Sequence, residues 1–378
     1  MTMGGRERVV VALSGGVDSS VAAATLCEAG YEVVGVTLQL QDCDDAKSSP
    51  SCCGLDGISR ARAVAGQLGI RHYLLERVEA FSERVLAPTW EAYAAGRTPS
   101  PCLLCNQEIK LGTLLDWAEE LGAERVATGH YARIERDGSG APRLLRGLDR
   151  NKDQSYFLAG LHRDQLERLL LPLGGLHKDV VRERARALGL ANAETHDSQD
   201  ACLVAPGQRF AEILRRRFDA PARRGRVVDE DGKPLADHEG IHHFTVGQRK
   251  GLGLQTLRKH WVKAVSDDGS VVVTPKPDRL LERELSATNV SWLGEAGPPA
   301  GVSLRARVQI RYRHRAQLAT LEQPTPGVVH ATFDEPARAI SPGQAAVFYE
   351  AERGERVLGQ GWIARREQAN ATPGSARP

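Results

Sequence analysis

No window of the 378-residue sequence approaches the ~18 consecutive apolar residues of a membrane-spanning helix, so a membrane protein is not expected. The N-terminus lacks a long apolar stretch, which argues against a secretory signal and for a cytoplasmic protein. A charge imbalance is missing too. Fifty Lys and Arg against 48 Asp and Glu leave +2, so any nucleic-acid surface must arise from local clustering. There is no internal repeat and no G-x-x-x-x-G-K-[ST] string, which excludes a Walker-type phosphate loop. Only one C-x-x-C is present, one short of the usual pair of zinc knuckles. Seven cysteines, an odd number, do not make a disulfide framework and read as thiols kept reduced. What remains is a soluble globular composition, 41% hydrophobic and 26% charged, long enough for two or three domains.

The most informative stretch is Ser14-Gly15-Gly16-Val17-Asp18-Ser19. Before it, Val9-Val10-Val11-Ala12-Leu13 reads as a buried strand; after it, Ser19 to Leu26 reads as a helix with Ser19 as its cap. A strand, a glycine turn and a helix N-terminus make an anion site, because glycines let backbone N–H groups approach an oxyanion and the helix dipole adds positive charge. Asp18 cannot take phosphate itself, so it is expected to hold a divalent cation, Mg2+. The spacing does not fit the dinucleotide pattern G-x-G-x-x-G.

Up to about residue 205 strands alternate with helices. Strands are expected at Val9–Leu13, Val33–Leu38, His72–Leu75 and Arg125–Thr128, and helices at Ser59–Leu68 and Lys110–Leu121. This predicts an α/β fold with a doubly wound parallel sheet in residues 1–205. Ligands of such sheets lie beyond the C-terminal strand ends, where Ser14–Ser19, Leu38 and Gly129-His130 all fall. Residues 206–277, rich in Gly and Arg, read as a small central domain; 278–365, with short strands and turn clusters, as a β-barrel; 366–378 as a disordered tail.

Cys102-Leu103-Leu104-Cys105 follows Thr98-Pro99-Ser100-Pro101, which predicts a loop, and Asn106–Leu121 predicts the next helix. Cys105 would then lie near a helix N-terminus, which favours its thiolate. Cys202 comes much later; Cys27, Cys43, Cys52 and Cys53 read as inert thiols. Two chemistries stay open. The fold could bring two thiols together as an attacking and resolving pair, or Cys102, Cys105 and Cys202 could hold an iron–sulfur cluster with one open iron.

From Leu304 to Arg315 the sequence alternates, with Arg305, Arg307, Gln309, Arg311, Arg313 and Arg315 at odd positions. Period two predicts one strand with five guanidinium groups on one face and no local acid. Together with Arg215-Arg216-Arg217 and Arg223-Arg224, this suggests a nucleic-acid backbone as partner.

Several long motifs carry a resemblance. They are SGGVDSSV, Gly96 to Pro101 leading to Leu104-Cys105-Asn106, Ala127 to Tyr131, Leu144 to Gly147, Asn151 to Leu158, Gly247 to Gly253, and Ser341 to Ala345. From about residue 8 to 365 the chain resembles the bacterial tRNA-specific 2-thiouridylases (the MnmA family) of the PP-loop ATP pyrophosphatases. The resemblance implies ATP-dependent thiolation of carbon 2 of the wobble uridine. ATP would adenylate the 2-carbonyl oxygen, and sulfur would arrive as a cysteine persulfide from a cysteine desulfurase or sulfur-relay protein. It makes Cys105 the nucleophile, Cys202 the persulfide carrier and Asp18 part of the catalytic set, with a Cys105–Cys202 disulfide forming during turnover. Ala12, Leu13, Ser14, Gly15, Gly16, Val17, Asp18, Ser19, Leu38 and Gly129 match ATP contacts. His130, Lys152, Asp153, Gln154, Arg311, Tyr312 and Gln344 match tRNA contacts, and Ser100, Pro101 and Cys102 the target-base loop.

One departure matters. Many members have Asn-Pro-Asp where this chain has Ser100-Pro101-Cys102. Other tRNA thiolases hold a [4Fe-4S] cluster on three cysteines, which keeps Cys102, Cys105 and Cys202 open as cluster ligands beside the persulfide route. Two rival classes are a PP-loop amide or guanidine synthetase and a non-catalytic RNA-binding protein.

Overall fold

The computed structural model describes residues 6–41, 55–195, 208–294, 297–299 and 301–365. The expectations for Cys43, Cys52, Cys53, Cys202 and the tail from residue 366 fall outside these residues. The chain divides into two compact units, Met1–Leu86 with Pro101–Ile213, and Ala87–Ser100 with Leu214–Pro378.

The first unit is built on five parallel strands: β1 (Arg8–Ala12), β2 (Glu32–Gln39), β3 (Arg71–Glu76), β4 (Arg125–Ala127) and the short β7 (Leu169–Leu170), in the order β3-β2-β1-β4-β7. A hairpin of β5 (Ala132–Arg136) and β6 (Pro142–Arg146) lies between β4 and β7 in the chain. β1 is central because it is apolar on both faces: Val9, Val10 and Val11 are all fully buried. Each contributes roughly 1.5–3 kcal/mol on transfer from water. Val9, Val11 and Leu13 pack with Ala23, Leu26, Ala61 and Ala65 of helices Val17–Glu28 and Leu55–Leu68. The helix Gly112–Glu120 also packs on β1 and β4, burying Leu114, Leu115 and Ala118.

The strand order reverses direction between β1 and β4, which pair from Val9↔Arg125 to Val11↔Ala127. A crevice therefore opens where the residues after β1 and after β4 leave the sheet side by side. The anticipated strands and the parallel sheet are thus present, with ends shifted by one or two residues.

The second unit holds a four-stranded sheet and a closed barrel. The sheet contains β8 (Gly225–Val228), β9 (Pro234–His238), β10 (Trp261–Val265) and β11 (Val271–Thr274), ordered β10-β11-β8-β9. Six antiparallel strands, β12 (Leu281–Trp292), β13 (Ser303–Gln309), β14 (Gln317–Thr325), β15 (Val328–Arg338), β16 (Ala345–Glu350) and β17 (Val357–Ile363), close the barrel. Its interior is filled by inward-facing residues such as Ala306, Val308, Leu321, Val329, Phe333 and Phe348.

The barrel corrects the reading of Leu304–Arg315 as one basic strand. β13 stops at Gln309, and residues 310–314 form a turn, closed by the His314 N–H donating to the Arg311 carbonyl (3.0 Å). The buried Gln309 amide donates to the carbonyls of Arg311 (3.2 Å) and Tyr312 (2.5 Å). A buried amide with two carbonyl acceptors in the turn ends the strand where sequence alternation alone would continue it. Nor are Arg305 and Arg307 without partners: Arg305 pairs with Asp334 at 2.6 Å, and Arg307 donates to the Ala351 carbonyl. Arg311, Arg313 and Arg315 are exposed, on or just after this turn.

Candidate active site

The helix after β1 begins at Val17 with Gly16 as its cap, not at Ser19. Ser19 instead turns its hydroxyl back to the Gly16 carbonyl (2.9 Å) and accepts the Ser14 N–H (3.2 Å), bracing the loop across its width. Gly15 sits at φ +75°, which disfavours any side chain, and a Cβ there would lie 2.2 Å from the Gly57 carbonyl oxygen. Gly129, just after β4, is equally constrained, because its Cβ would meet the Ser19 nitrogen and the Asp18 carbonyl carbon at 2.8 Å. Gly129 thus lies against the backbone of the first turn of the helix that follows β1. Leu38, half-buried, is the last but one residue of β2 and pairs with Leu75 of β3.

Asp18 occupies the second position of the helix, where the dipole favours a carboxylate. Both of its oxygens accept from Lys178 Nζ, at 2.7 and 2.8 Å, and the Tyr131 hydroxyl donates to one of them at 2.7 Å. Sequence reading assigned no role to Lys178 or to the Tyr131 side chain. Lys178 opens the helix Lys178–Ala187, the end at which the dipole repels a cation. Its pairing with Asp18 offsets that repulsion. Ala12 and Leu13 contribute backbone only: the Leu13 carbonyl accepts the Thr37 hydroxyl, and the Leu13 side chain is buried.

The cysteine segment also differs from expectation. Pro101–Cys105 is helical, Asn106–Leu111 follows as a π-type turn, and Gly112–Glu120 continues the run. Pro101 takes the first helical position, for which its fixed φ and missing N–H suit it. Cys102, in the first turn, therefore receives more of the dipole than Cys105, which lies past it and is 6% exposed. Three residues apart on one helix, the two thiols share a face. Asn106, 3% exposed, is fixed by donating to the Phe157 carbonyl (3.1 Å). Ser100 is buried at the end of the segment Ala87–Ser100.

His130 follows Gly129, with Nδ1 2.8 Å from the Thr128 hydroxyl. Desolvation first, and then the Lys110 charge, push its pKa down to about 3. Both effects favour the neutral imidazole. Gln154 is tied to Tyr131 twice, its side-chain oxygen accepting the Tyr131 N–H (2.9 Å) and its own N–H reaching the Tyr131 carbonyl (2.8 Å). Lys152 is half-buried next to it.

Asp153 has a scaffold role that the sequence reading missed. It is 7% exposed, pairs with Arg146 at 2.6 Å and accepts the Gly147 and Ser155 N–H groups and the Ser155 hydroxyl. A carboxylate with this many donors ties the Gly147 turn to the start of Ser155–Leu158. Asp153→Ala should leave the Arg146 guanidinium, whose side chain is 15% exposed, without its counter-ion and cost about 3 kcal/mol. Thermal unfolding should shift down by roughly 6–12 °C. Parent-like stability would show that the pair carries no such role.

Gln344, in the second unit, follows the turn Ser341-Pro342-Gly343 and donates to the carbonyls of Thr98 (3.1 Å) and Pro99 (2.8 Å). With the Thr98 N–H on the Pro342 carbonyl (2.8 Å), it holds the segment that leads into Ser100.

A parallel sheet whose central strand runs into a glycine cradle, with a carboxylate–ammonium pair at the helix it feeds, defines a nucleotide-using enzyme of the HUP class. Residues 7–206 match the tRNA methyl transferase HUP domain, 214–275 the tRNA methyl transferase PRC-barrel domain, and 282–363 the aminomethyltransferase beta-barrel domain. The chain belongs to the MnmA family of tRNA-specific 2-thiouridylases. It is 46% identical to the tRNA-specific 2-thiouridylase MnmA of Sorangium cellulosum, over 94% of this chain and 92% of that one. The Solibacter usitatus relative is 44% identical over 94% and 99% of the two chains, and that of Geobacter metallireducens 43% over 96% and 98%. Among the described residues, no helix is long and apolar enough to cross a membrane.

Proposed function

We propose that this enzyme installs sulfur at carbon 2 of the wobble uridine of tRNA, spending ATP to activate the 2-carbonyl oxygen. The observation that carries this reading is the cradle of Ser14–Ser19 and Gly129, where added Cβ atoms would collide with backbone, within a chain of this family. The donors suit a polyphosphate: helix N–H groups and glycine amides face an anion, and Lys178 supplies a cation. Asp18 would hold Mg2+, an oxygen-seeking ion that shields phosphate charge when bound. Lys178, now neutralised by Asp18, would be released toward the phosphates.

The uracil carbonyl is a poor electrophile until its oxygen becomes a leaving group. With AMP attached there, the terminal sulfur of a Cys202 persulfide forms the C2–S bond and the C–O bond to AMP breaks. The Cys105 thiolate then attacks Cys202 Sγ, breaking the S–S bond. The 2-thiouridine is released, and a Cys105–Cys202 disulfide is left for an external dithiol to reduce. The persulfide would come from a cysteine desulfurase or sulfur-relay protein. A second reading, a [4Fe-4S] cluster on Cys102, Cys105 and Cys202, draws support from the first two thiols sharing one helical face.

His130, Lys152, Gln154 and the exposed Arg311–Tyr312 turn would meet tRNA, while Gln344 would act by holding the Thr98–Pro99 segment. We read residues 1–205 as the catalytic domain, 206–277 as a central domain and 278–365 as the tRNA-binding barrel. Arg311→Ala should weaken tRNA binding and make the salt slope shallower by about one. An unchanged slope would mean that the turn faces solvent in the complex.

The deciding experiment is nucleoside mass spectrometry of tRNA incubated with the protein, ATP and a persulfide source. 2-Thiouridine should appear only with ATP, with AMP and pyrophosphate formed in step. Pyrophosphate release driven by a small amino acid and not by tRNA would favour a synthetase. RNA binding without AMP formation would leave a non-catalytic binding protein.

A further inference from the structure

The phosphate loop is held from behind by two residues to which the nucleotide chemistry assigns no part. Asn192 Nδ2 donates to the Gly15 carbonyl (2.9 Å) and to the Ser20 hydroxyl (2.9 Å). Ser20 passes its own proton to the Gly16 carbonyl (3.0 Å). Arg60 Nε adds a second donor on the Gly15 carbonyl at 3.2 Å. Two successive loop carbonyls are thereby held by side chains. In a trans peptide the N–H points opposite to the C=O, so fixing the Gly15 carbonyl fixes the Gly16 N–H on the side away from Asn192. That N–H lies 3.4 Å from the Ser14 hydroxyl. Asn192 is 2% exposed, and its Oδ1 is buried without a partner. A buried acceptor left unsatisfied is costly, so the amide orientation is dictated by the two bonds its nitrogen makes to the loop and to Ser20.

We propose that Asn192, assisted by Arg60, is a positioning residue for the polyphosphate of ATP: by clamping the Gly15 carbonyl it keeps the cradle's N–H groups aimed at the anion before the nucleotide arrives. This rests on the reading of Ser14–Ser19 as the ATP loop. Without the clamp, the Gly15–Gly16 peptide, flanked by two glycines, can rotate at little steric cost. Preorganisation is lost and the cost of ordering the loop falls on binding.

The test is titration of ATP, pyrophosphate and adenosine into the full chain, its Asn192→Leu variant and its Arg60→Met variant, with thermal unfolding and tRNA affinity measured alongside. Asn192→Leu should weaken ATP and pyrophosphate binding about tenfold and Arg60→Met about threefold, with adenosine and tRNA affinities within twofold of the parent. A purely structural role would lower the unfolding temperature and leave the ATP-to-adenosine ratio unchanged. Parent-like ATP affinity in Arg60→Met, or in a folded Asn192→Leu protein, overturns the proposal. Failure of the unaltered protein to bind ATP overturns instead the reading on which it rests.

Discussion

Serine at position 105 is expected to leave an enzyme that binds tRNA and releases pyrophosphate while making at most about a thousandth of the parental 2-thiouridine. The persulfide route needs two thiols with different tasks. Cys202 carries the sulfur; Cys105 cleaves it from its carrier. A serine hydroxyl has neither the acidity nor the nucleophilicity to break an S–S bond at neutral pH. Cys202→Ser should match it in 2-thiouridine yield but differ in labelling. With a labelled persulfide donor, Cys105→Ser should trap label on Cys202 or on tRNA, and Cys202→Ser should trap none on either. Cys102→Ser separates the two sulfur chemistries. It shares a helical turn with Cys105 and sits nearer the N-terminus, so a cluster would lose a ligand and activity would fall as far as in Cys105→Ser. The relay predicts activity within about tenfold of the parent, because Cys102 neither carries nor cleaves sulfur. Thiolation by Cys105→Ser within tenfold of the parent would refute the assignment of the nucleophile.

Lys178→Met should be almost as severe, and at a different step. Its side chain is 12% exposed and its ammonium is bonded to both Asp18 oxygens, so it is a positive charge held at the first turn of the helix that follows the loop. In a partly desolvated site, a positioned cation opposite developing phosphate charge is worth about a hundredfold to a thousandfold in rate. tRNA-dependent pyrophosphate release should fall by that factor while tRNA affinity stays within twofold. Asp18→Asn should fall comparably if Asp18 holds Mg2+ as proposed. The double variant should be far less impaired than the product of the two, because the residues act as a pair. Multiplicative losses would mean that Asp18 and Lys178 serve the nucleotide independently. A Lys178→Met enzyme with parental pyrophosphate release would remove Lys178 from the mechanism.

The parts of the site that were legible share a property: their chemistry is local. A glycine pair between an apolar strand and a helix is a local pattern, so the strand, turn and helix around Ser14–Ser19 could be read directly. Gly129 was readable because β4 ends there and ligands gather at strand ends. The residues that were missed act across long sequence separations. Lys178 meets Asp18 from 160 residues away, and Asn192 reaches Gly15 from 177 residues away. Other departures are local: Gln309 bonds the turn just after it and ends a strand that alternation would extend, and Pro101 starts a helix where two prolines suggested a loop.

By itself, then, the amino-acid order determined the layered α/β sheet and the barrel that follows it, because hydrophobic period is a property of neighbours in the chain. Only the tertiary structure decided which cation faces Asp18, which carboxylate is structural and which amide braces the loop. Those depend on side chains that become adjacent only when the sheet and its helices have packed.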